Sequence, residues 1–476
     1  MQIVIPLLAA VFALVAAIGL CFGLFWTFNN KASPWVGWSL VTLLCLAALA
    51  LTLVVPSPFQ YYVASRAGVI STLAGMGSKA VVLAFLLVSA VGAVLAVIQR
   101  MSHNSGKAVH HFDNWALIFW ASLLSIIGAS LLSALFGIVK VRPWSGDFRK
   151  ILYFPAALIM VWHFRDVLTV GLLQRGFLIL ANFCALVSLA LLPVASIAVT
   201  VPGTEYLPGF NSRLSGVLGT PTTTGFIAAS AVLLYIFSPE IKSRARIFWI
   251  LLNLATLILA QSKASLAALF ALFFVGLLIR PNGTVSQRAV AMCAIGLGLC
   301  AMPFFLMDAS SRLSNSAAQE VATFSGRMQI WQITLDAWKN NPIFGFGPLL
   351  WGPDFRRDYA PPHLFNLVGM AHNQFVHTLG ESGVIGLLAL LFHISVVGWL
   401  SFDVRKQDGG VSMLLWIFII IRCMTEAPFL NHTISANGVV LLLLYRHLFL
   451  KEKKVGLKIV TECRRPEMNA PTKVII

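Results

Sequence analysis

Hydrophobic positions in this chain fall in long runs rather than in alternation. A helix that crosses a bilayer needs roughly 20 apolar residues, and stretches near that size recur at 3–28, 35–55, 80–98, 115–139, 177–201, 222–237, 247–260, 264–279, 289–307, 384–402, 411–425 and 438–450. The pattern therefore predicts twelve spans, with 247–260 and 264–279 joined by a tight turn at Gln261-Ser262-Lys263. Residues 151–162 are apolar but too short, and His163, Arg165 and Asp166 follow them. Read as a span, they raise the count to thirteen and move Lys140, Arg142, Arg149 and Lys150 to the outer side. That basic stretch favours an interfacial or half-inserted helix within 151–176. Residues 308–383 make the one long polar excursion. No repeat of 20–50 residues and no inverted pair of Gly/Pro-broken helices is visible.

Composition fits this pattern. Hydrophobic residues make up 58% of the 476 and charged residues 11%, against about 25% charged in soluble domains. The fold class is an all-α polytopic integral membrane protein. The net charge of +17 does not point to nucleic acid, because the basic residues cluster in short loops and in the tail. These are the positions that set orientation and meet lipid headgroups. Lys453, Lys454, Lys458, Arg464, Arg465 and Lys473 put the tail, 451–476, in the cytoplasm beside membrane lipids. The basic loops 240–246, 280–288 and 403–406 fall on the same side, and loops 202–221 and 308–383 on the other. The first run lacks a basic leader and is read as a retained helix. Six of the seven cysteines lie in apolar runs and Cys463 in the tail, so no disulfide or thiol–metal site is expected in the long loop. The chain divides into 1–176 (N-terminal spans), 177–307 (central spans with the Arg213 loop), 308–383 (the large loop), 384–450 (C-terminal spans) and 451–476 (the tail).

The polar residues worth chemical attention lie mostly on the outer side. In the large loop, Met328, Trp331, Leu335 and Trp338 recur at helical spacing and predict an amphipathic helix, ended by Asn340-Asn341-Pro342. Arg327 in its first turn suits an anion cradle or, more simply, a cap whose charge snorkels. The stretch Asn211-Ser212-Arg213-Leu214-Ser215-Gly216 continues to Gly219-Thr220-Pro221. It offers glycines, hydroxyls and one guanidinium, which fits a phosphate or sugar contact or an ordinary interfacial loop. Lys263 lies in the tight turn with no acidic residue nearby in sequence, and so suits an anion. Arg422 and Glu426 are placed to neutralise each other at i, i+4. His363, His372 and His377 are spaced five and nine apart, unlike a zinc-protease pair, so no metal is expected. One histidine acting as general base is the sharper reading, because imidazole titrates near neutral pH, and helix capping is the plainer one.

Together these residues resemble the bacterial O-antigen ligase/polymerase superfamily. His372-Asn373, nine residues, then Gly383-Val384-Ile385-Gly386 matches the ligase pattern of His, Asn/Ser/Gln, nine residues, Gly, two residues, Gly. Ser325-Gly326-Arg327 with Trp331, and Asn341-Pro342-Ile343-Phe344-Gly345-Phe346-Gly347, look like the family's loop signature. Arg213-Leu214-Ser215-Gly216 resembles its upstream Arg-x-Ser-Gly element, and Glu426 stands where members often carry a late glutamate. Lys263 replaces the usual arginine after Ser262, keeping the charge without the fork, and Thr220-Pro221-Thr222 replaces Asn-Pro-Asn.

The resemblance implies a glycosyltransferase of the bacterial inner membrane, working at its periplasmic face, with 308–383 as a periplasmic loop containing amphipathic helices. The donor would be a glycan on undecaprenyl diphosphate and the acceptor a hydroxyl of lipid A–core. His372 would serve as base, Arg327 and Arg213 would grip the diphosphate, and Lys263, Arg312, Asn373, Ser215 and Glu426 would be substrate contacts. No cofactor or metal would be needed. A Wzy-type polymerase extending a growing glycan, for O-antigen or exopolysaccharide, shares these features, and a protein O-oligosaccharyltransferase is a further alternative. A solute transporter could own Arg422, Glu426 and Lys263, but it should spread polar residues through several spans.

Overall fold

The computed structural model describes residues 40–42, 114–139, 153–165, 167–193, 196–207, 210–241, 244–280, 283–293, 327–362, 369–429 and 436–450. The predicted spans at 3–28 and 80–98 lie outside these residues, as do most of 35–55 and 289–307, the basic stretch 140–150, Arg312, His363 and the tail. The described elements are α1 (Asn114–Phe136), α2 (Tyr153–His163), α3 (Val170–Leu191), α4 (Ser196–Val199), β1 (Thr200–Leu207), β2 (Phe210–Leu214), α5 (Pro221–Phe237), α6 (Arg246–Ala260), α7 (Lys263–Ile279), α8 (Arg327–Lys339), α9 (Pro353–Tyr359), α10 (Gln374–Val404), α11 (Val411–Thr425) and α12 (Ala436–Leu448).

The described chain is predominantly helical. Three helices, α1, α3 and α10, are long and apolar enough to cross a membrane, and α5, α6, α7, α11 and most of α12 are shorter apolar helices. Their outward faces carry large apolar side chains. On α1 these are Leu117, Leu124, Leu131 and Leu135; on α6 Ile247, Phe248, Leu251 and Ile258; on α10 Leu388, Phe392, Trp399 and Phe402. Contiguous apolar stripes of this size call for an apolar surrounding. The inward faces form one core spanning α3, α5, α7, α11 and α12, with Phe226, Leu272, Phe418, Tyr445 and Leu448 among its buried members. α10 packs along α1, α5 on α6, and α7 on α11.

Several boundaries differ from the hydropathy reading. α3 starts at Val170, capped by Thr169, rather than at 177. It can include Gln174 because the buried amide donates to His447 and accepts from the Ser238 hydroxyl, which offsets the cost of burying it. The expected loop after it is an antiparallel hairpin pairing Thr200 with Leu214 and Val201 with Arg213, so the chain is not purely α-helical. α10 begins at Gln374 instead of 384. Residues 153–163 form the short helix expected within 151–176. The predicted turn after α6 is present: Gln261 takes the left-handed conformation with φ 48° and α7 begins at Lys263.

The long polar stretch has a small core of its own, built from Ile330, Ala337, Phe346, Leu350, Trp351, Phe355 and Ala371. α8 is the predicted helix, but it buries Ile330, Thr334 and Ala337, while Met328 is exposed. Small residues win that face because α8 lies against Gly380 of α10 and the Thr334 hydroxyl accepts from the Trp351 indole at 3.0 Å. The segment after α8 is sewn to α10 by backbone hydrogen bonds. Phe346 N–H donates to Gly380, Gly347 N–H to Glu381 and Val384 N–H to Pro342, while Val139, just beyond α1, donates to Phe346. Here α10 kinks at Gly383, with φ 65° and ψ −162°. A Cβ at Gly383 would stand 2.2 Å from the Ile343 carbonyl, and one at Gly345 2.5 Å from that of Glu381. The two glycine motifs of the sequence are thus the two sides of one backbone-to-backbone contact.

Candidate active site

The kink anchors the first helical turns of α10, and His372 stands just before them. Asn373 is the N-cap of α10, its side-chain oxygen accepting from Phe375 N–H and Val376 N–H, as expected of asparagine at this position. Its amide also reaches the Met424 carbonyl at 3.5 Å. Capping is therefore the work of Asn373, and the His372 ring is left for another partner. His372 has φ 50°, a left-handed conformation that costs an L-residue roughly 1–2 kcal/mol. The residue before it is tied through both main-chain groups: Ala371 N–H donates to His377 Nδ1 at 3.0 Å, and the Ala371 carbonyl accepts from the Trp331 indole at 2.9 Å.

The partner of His372 comes from the end of α11. That helix stops at Thr425, and Glu426 continues as an extended C-cap with φ −151° and ψ −179°. Its carboxylate therefore swings away from the helix. The expected i, i+4 pairing with Arg422 gives way to contacts with other elements: His372 Nδ1–H donates to Oε2 at 2.9 Å, and Arg327 Nη2 stands 3.7 Å from Oε1. Arg422 lies buried close by, its guanidinium carbon 5.2 Å from the centre of the Phe226 ring. Among the described residues its Nε has no hydrogen-bond partner. Burial alone would raise the Glu426 carboxyl pKa, but His372, Arg422 and Arg327 outweigh it and hold the group well below the usual carboxylate range. Glu426 is therefore ionised at neutral pH, and two guanidinium groups face one carboxylate. The cluster keeps a net positive charge, while the side chains of His372 and Arg327 remain 26% and 22% exposed.

Arg213, Ser215 and Lys263 lie around the hairpin and the α6–α7 turn. Arg213 donates to the last carbonyls around α6, Ala260 at 3.4 Å and Gln261 at 3.3 Å, and the Gln261 amide donates to the Ser212 carbonyl. This ties β2 to the turn that carries Lys263. Ser215 is fully buried; its N–H donates to Val199 and its carbonyl accepts from the Thr224 hydroxyl, while its own hydroxyl has no hydrogen-bond partner among the described residues. Thr220 caps α5 and Pro221 opens it, a pairing that Asn-Pro would serve equally well. A Cβ on Gly225 would meet the Ser262 side chain at 2.4 Å. The next residue, Phe226, is the ring beneath Arg422. Contacts thus run without a break from Arg213 through the α6–α7 turn and α5 to Arg422, Glu426, Arg327 and His372. Arg312 lies outside the described residues.

Trp331 and His377 take roles here that the helical pattern and the histidine spacing did not assign them. His377 is buried, and its Nε2 stands 3.6 Å from Glu381 Oε2 one helical turn on. The i, i+4 spacing of that pair becomes a usable signal once α10 is known to start at Gln374. With Nδ1 engaged by Glu426, Nε2 is the other ring nitrogen of His372, beside this electropositive patch.

Comparison with known proteins bears on the same residues. No curated protein matches the chain. A family model described as O-antigen ligase matches residues 247–391, so the stretch that holds Lys263, Arg327, His372, Asn373 and the Gly383 kink is similar to that family.

Proposed function

We propose that the protein transfers a glycan from undecaprenyl diphosphate to an acceptor hydroxyl at the periplasmic face of the inner membrane, acting as a ligase with lipid A–core as acceptor. The observation that carries this reading is the His372–Glu426 hydrogen bond of 2.9 Å with Arg327 at the other carboxylate oxygen. Glu426 holds the imidazole in the tautomer with its proton on Nδ1, and Nε2 takes the proton of the acceptor hydroxyl. The acceptor oxygen attacks the sugar carbon bonded to the diphosphate, that bond breaks, and the lipid diphosphate leaves with the electron pair. Its charge is met by Arg327, with Arg213 and Lys263 alongside, a task for which fixed guanidinium groups need no reorganisation. The energy of transfer is already in the sugar–diphosphate bond, so no nucleotide is consumed.

The ligase reading draws on the His-Asn…Gly-x-x-Gly pattern and on the description of the matching family. Two measurements test it. His372→Ala should reach the membrane in normal amount and transfer no glycan; near-normal surface glycan in that variant would end the base assignment. A deletion strain should accumulate lipid-linked polymer of full modal length, whereas accumulation of single repeat units would assign a polymerase instead.

A further inference from the structure

The turn that presents His372 is held by two side chains that need not meet the substrate. Ala371 is fully buried, and both hydrogen-bonding groups of its main chain are taken by side chains, the N–H by His377 and the carbonyl by Trp331. Fixing those two groups fixes the backbone on one side of His372. The Asn373 cap fixes it on the other. Between these holds, His372 has its left-handed φ of 50° and has no room to relax toward the extended or helical range. A residue in a sparsely populated conformation persists only where its surroundings over-determine it.

The hold continues into the scaffold. His377 accepts with Nδ1, so in its neutral form the ring proton is on Nε2, facing the Glu381 carboxyl group at 3.6 Å. The Glu381 carbonyl, at the kink, accepts from the Ser133 hydroxyl at 2.6 Å and from Gly347 N–H at 3.0 Å. α1, the glycine loop and α8 therefore converge through His377 and Trp331 on the two peptide groups that flank the Ala371 Cα.

We infer that His377 and Trp331 are positioning residues for the transfer reaction, clamping the Ala371 peptide so that the His372 imidazole meets both Glu426 and the acceptor hydroxyl. This rests on the reading of His372 as the base. A misplacement of about 1 Å at a reacting group costs on the order of 10²-fold in rate, and release of the clamp acts on that distance while leaving the arginines in place.

The test uses the full-length protein in lipid nanodiscs with a lipid-linked glycan donor, and compares His377→Leu, His377→Asn, Trp331→Phe and His372→Ala. His377→Leu should lower kcat by about 10²-fold with the donor KM within about twofold. His377→Asn, whose amide oxygen can accept from Ala371 N–H, should recover most of that loss. Trp331→Phe keeps the ring and loses the donor, and should lower kcat about tenfold, again at unchanged donor KM. If His377→Leu fails to insert, the Asn and Phe variants carry the test by the same kcat-against-KM split. Wild-type kcat in His377→Leu and Trp331→Phe would overturn the inference, as would an Asn variant as slow as a correctly inserted Leu variant. Turnover by His372→Ala would instead remove the base reading, so failure of the clamp and failure of the mechanism give different results.

Discussion

Replacing Glu426 by glutamine tests the centre of the site with almost no change of shape. Glutamine can still accept from His372 Nδ1–H through its oxygen, but the negative charge between Arg327 and Arg422 is gone. Removing one partner of a buried ion pair costs about 3–5 kcal/mol. Because the Arg327 side chain is 22% exposed and stands 3.7 Å away, the lower end, about 3 kcal/mol, is expected here. Catalysis should fall as well, since the imidazolium formed during transfer loses its counter-charge. A general base contributes 10²–10⁴-fold, and a retained hydrogen bond places the loss near 10²-fold in kcat, or about 2.7 kcal/mol at about 1.36 kcal/mol per decade. The assay is turnover in nanodiscs at saturating donor, with thermal unfolding of the same samples. The pH dependence has a definite sign. The Glu426 carboxyl is held below its ordinary value of 4.5, so its contribution to stability is complete above that value and is lost as pH falls through the lower, folded-state value. The stability gap between wild type and Glu426→Gln should therefore be present at about pH 5.5 and should close as pH falls below about 4.5. Wild-type turnover and wild-type unfolding in Glu426→Gln would refute the assignment, and a gap that widened as pH fell below about 4.5 would refute the electrostatic account.

Two further outcomes follow from the same geometry. Arg327→Lys keeps the charge and loses the planar fork; it should lower kcat/KM for the lipid-linked donor by about 10²-fold while changing stability by no more than about 1 kcal/mol, and unchanged turnover of the purified protein would reduce Arg327 to a structural partner of Glu426. Gly383→Ala puts a methyl group 2.2 Å from the Ile343 carbonyl at a φ of 65°, so it should displace the glycine loop from α10 and abolish both activity and resistance of the loop to protease; a folded, active Gly383→Ala protein would show that the kink is not needed.

What could be read from the chain depended on whether polarity reported exposure. It did so at the turn after α6, where Gln261 breaks two apolar runs, and at the end of α8, where Asn340-Asn341-Pro342 stops the helix, and both features stand where the pattern put them. It failed at Gln174, His377 and Glu381, which are polar and buried inside helices because each has a hydrogen-bonding or charged partner on another turn or another element. A hydropathy reading stops short of those residues and so makes α3 and α10 shorter than they are. The same failure governs the site. Spacing alone paired Glu426 with Arg422, since nothing local announces that α11 ends at Thr425 and that the next residue is extended. Once it is extended, the carboxylate serves His372 from 54 residues back and Arg327 from the far side of the loop. In an apolar surrounding a charge that cannot reach water must find its counter-charge inside the protein. The sequence therefore names the residues that need partners, and only the meeting of α8, α10 and α11 decides which residues become one site.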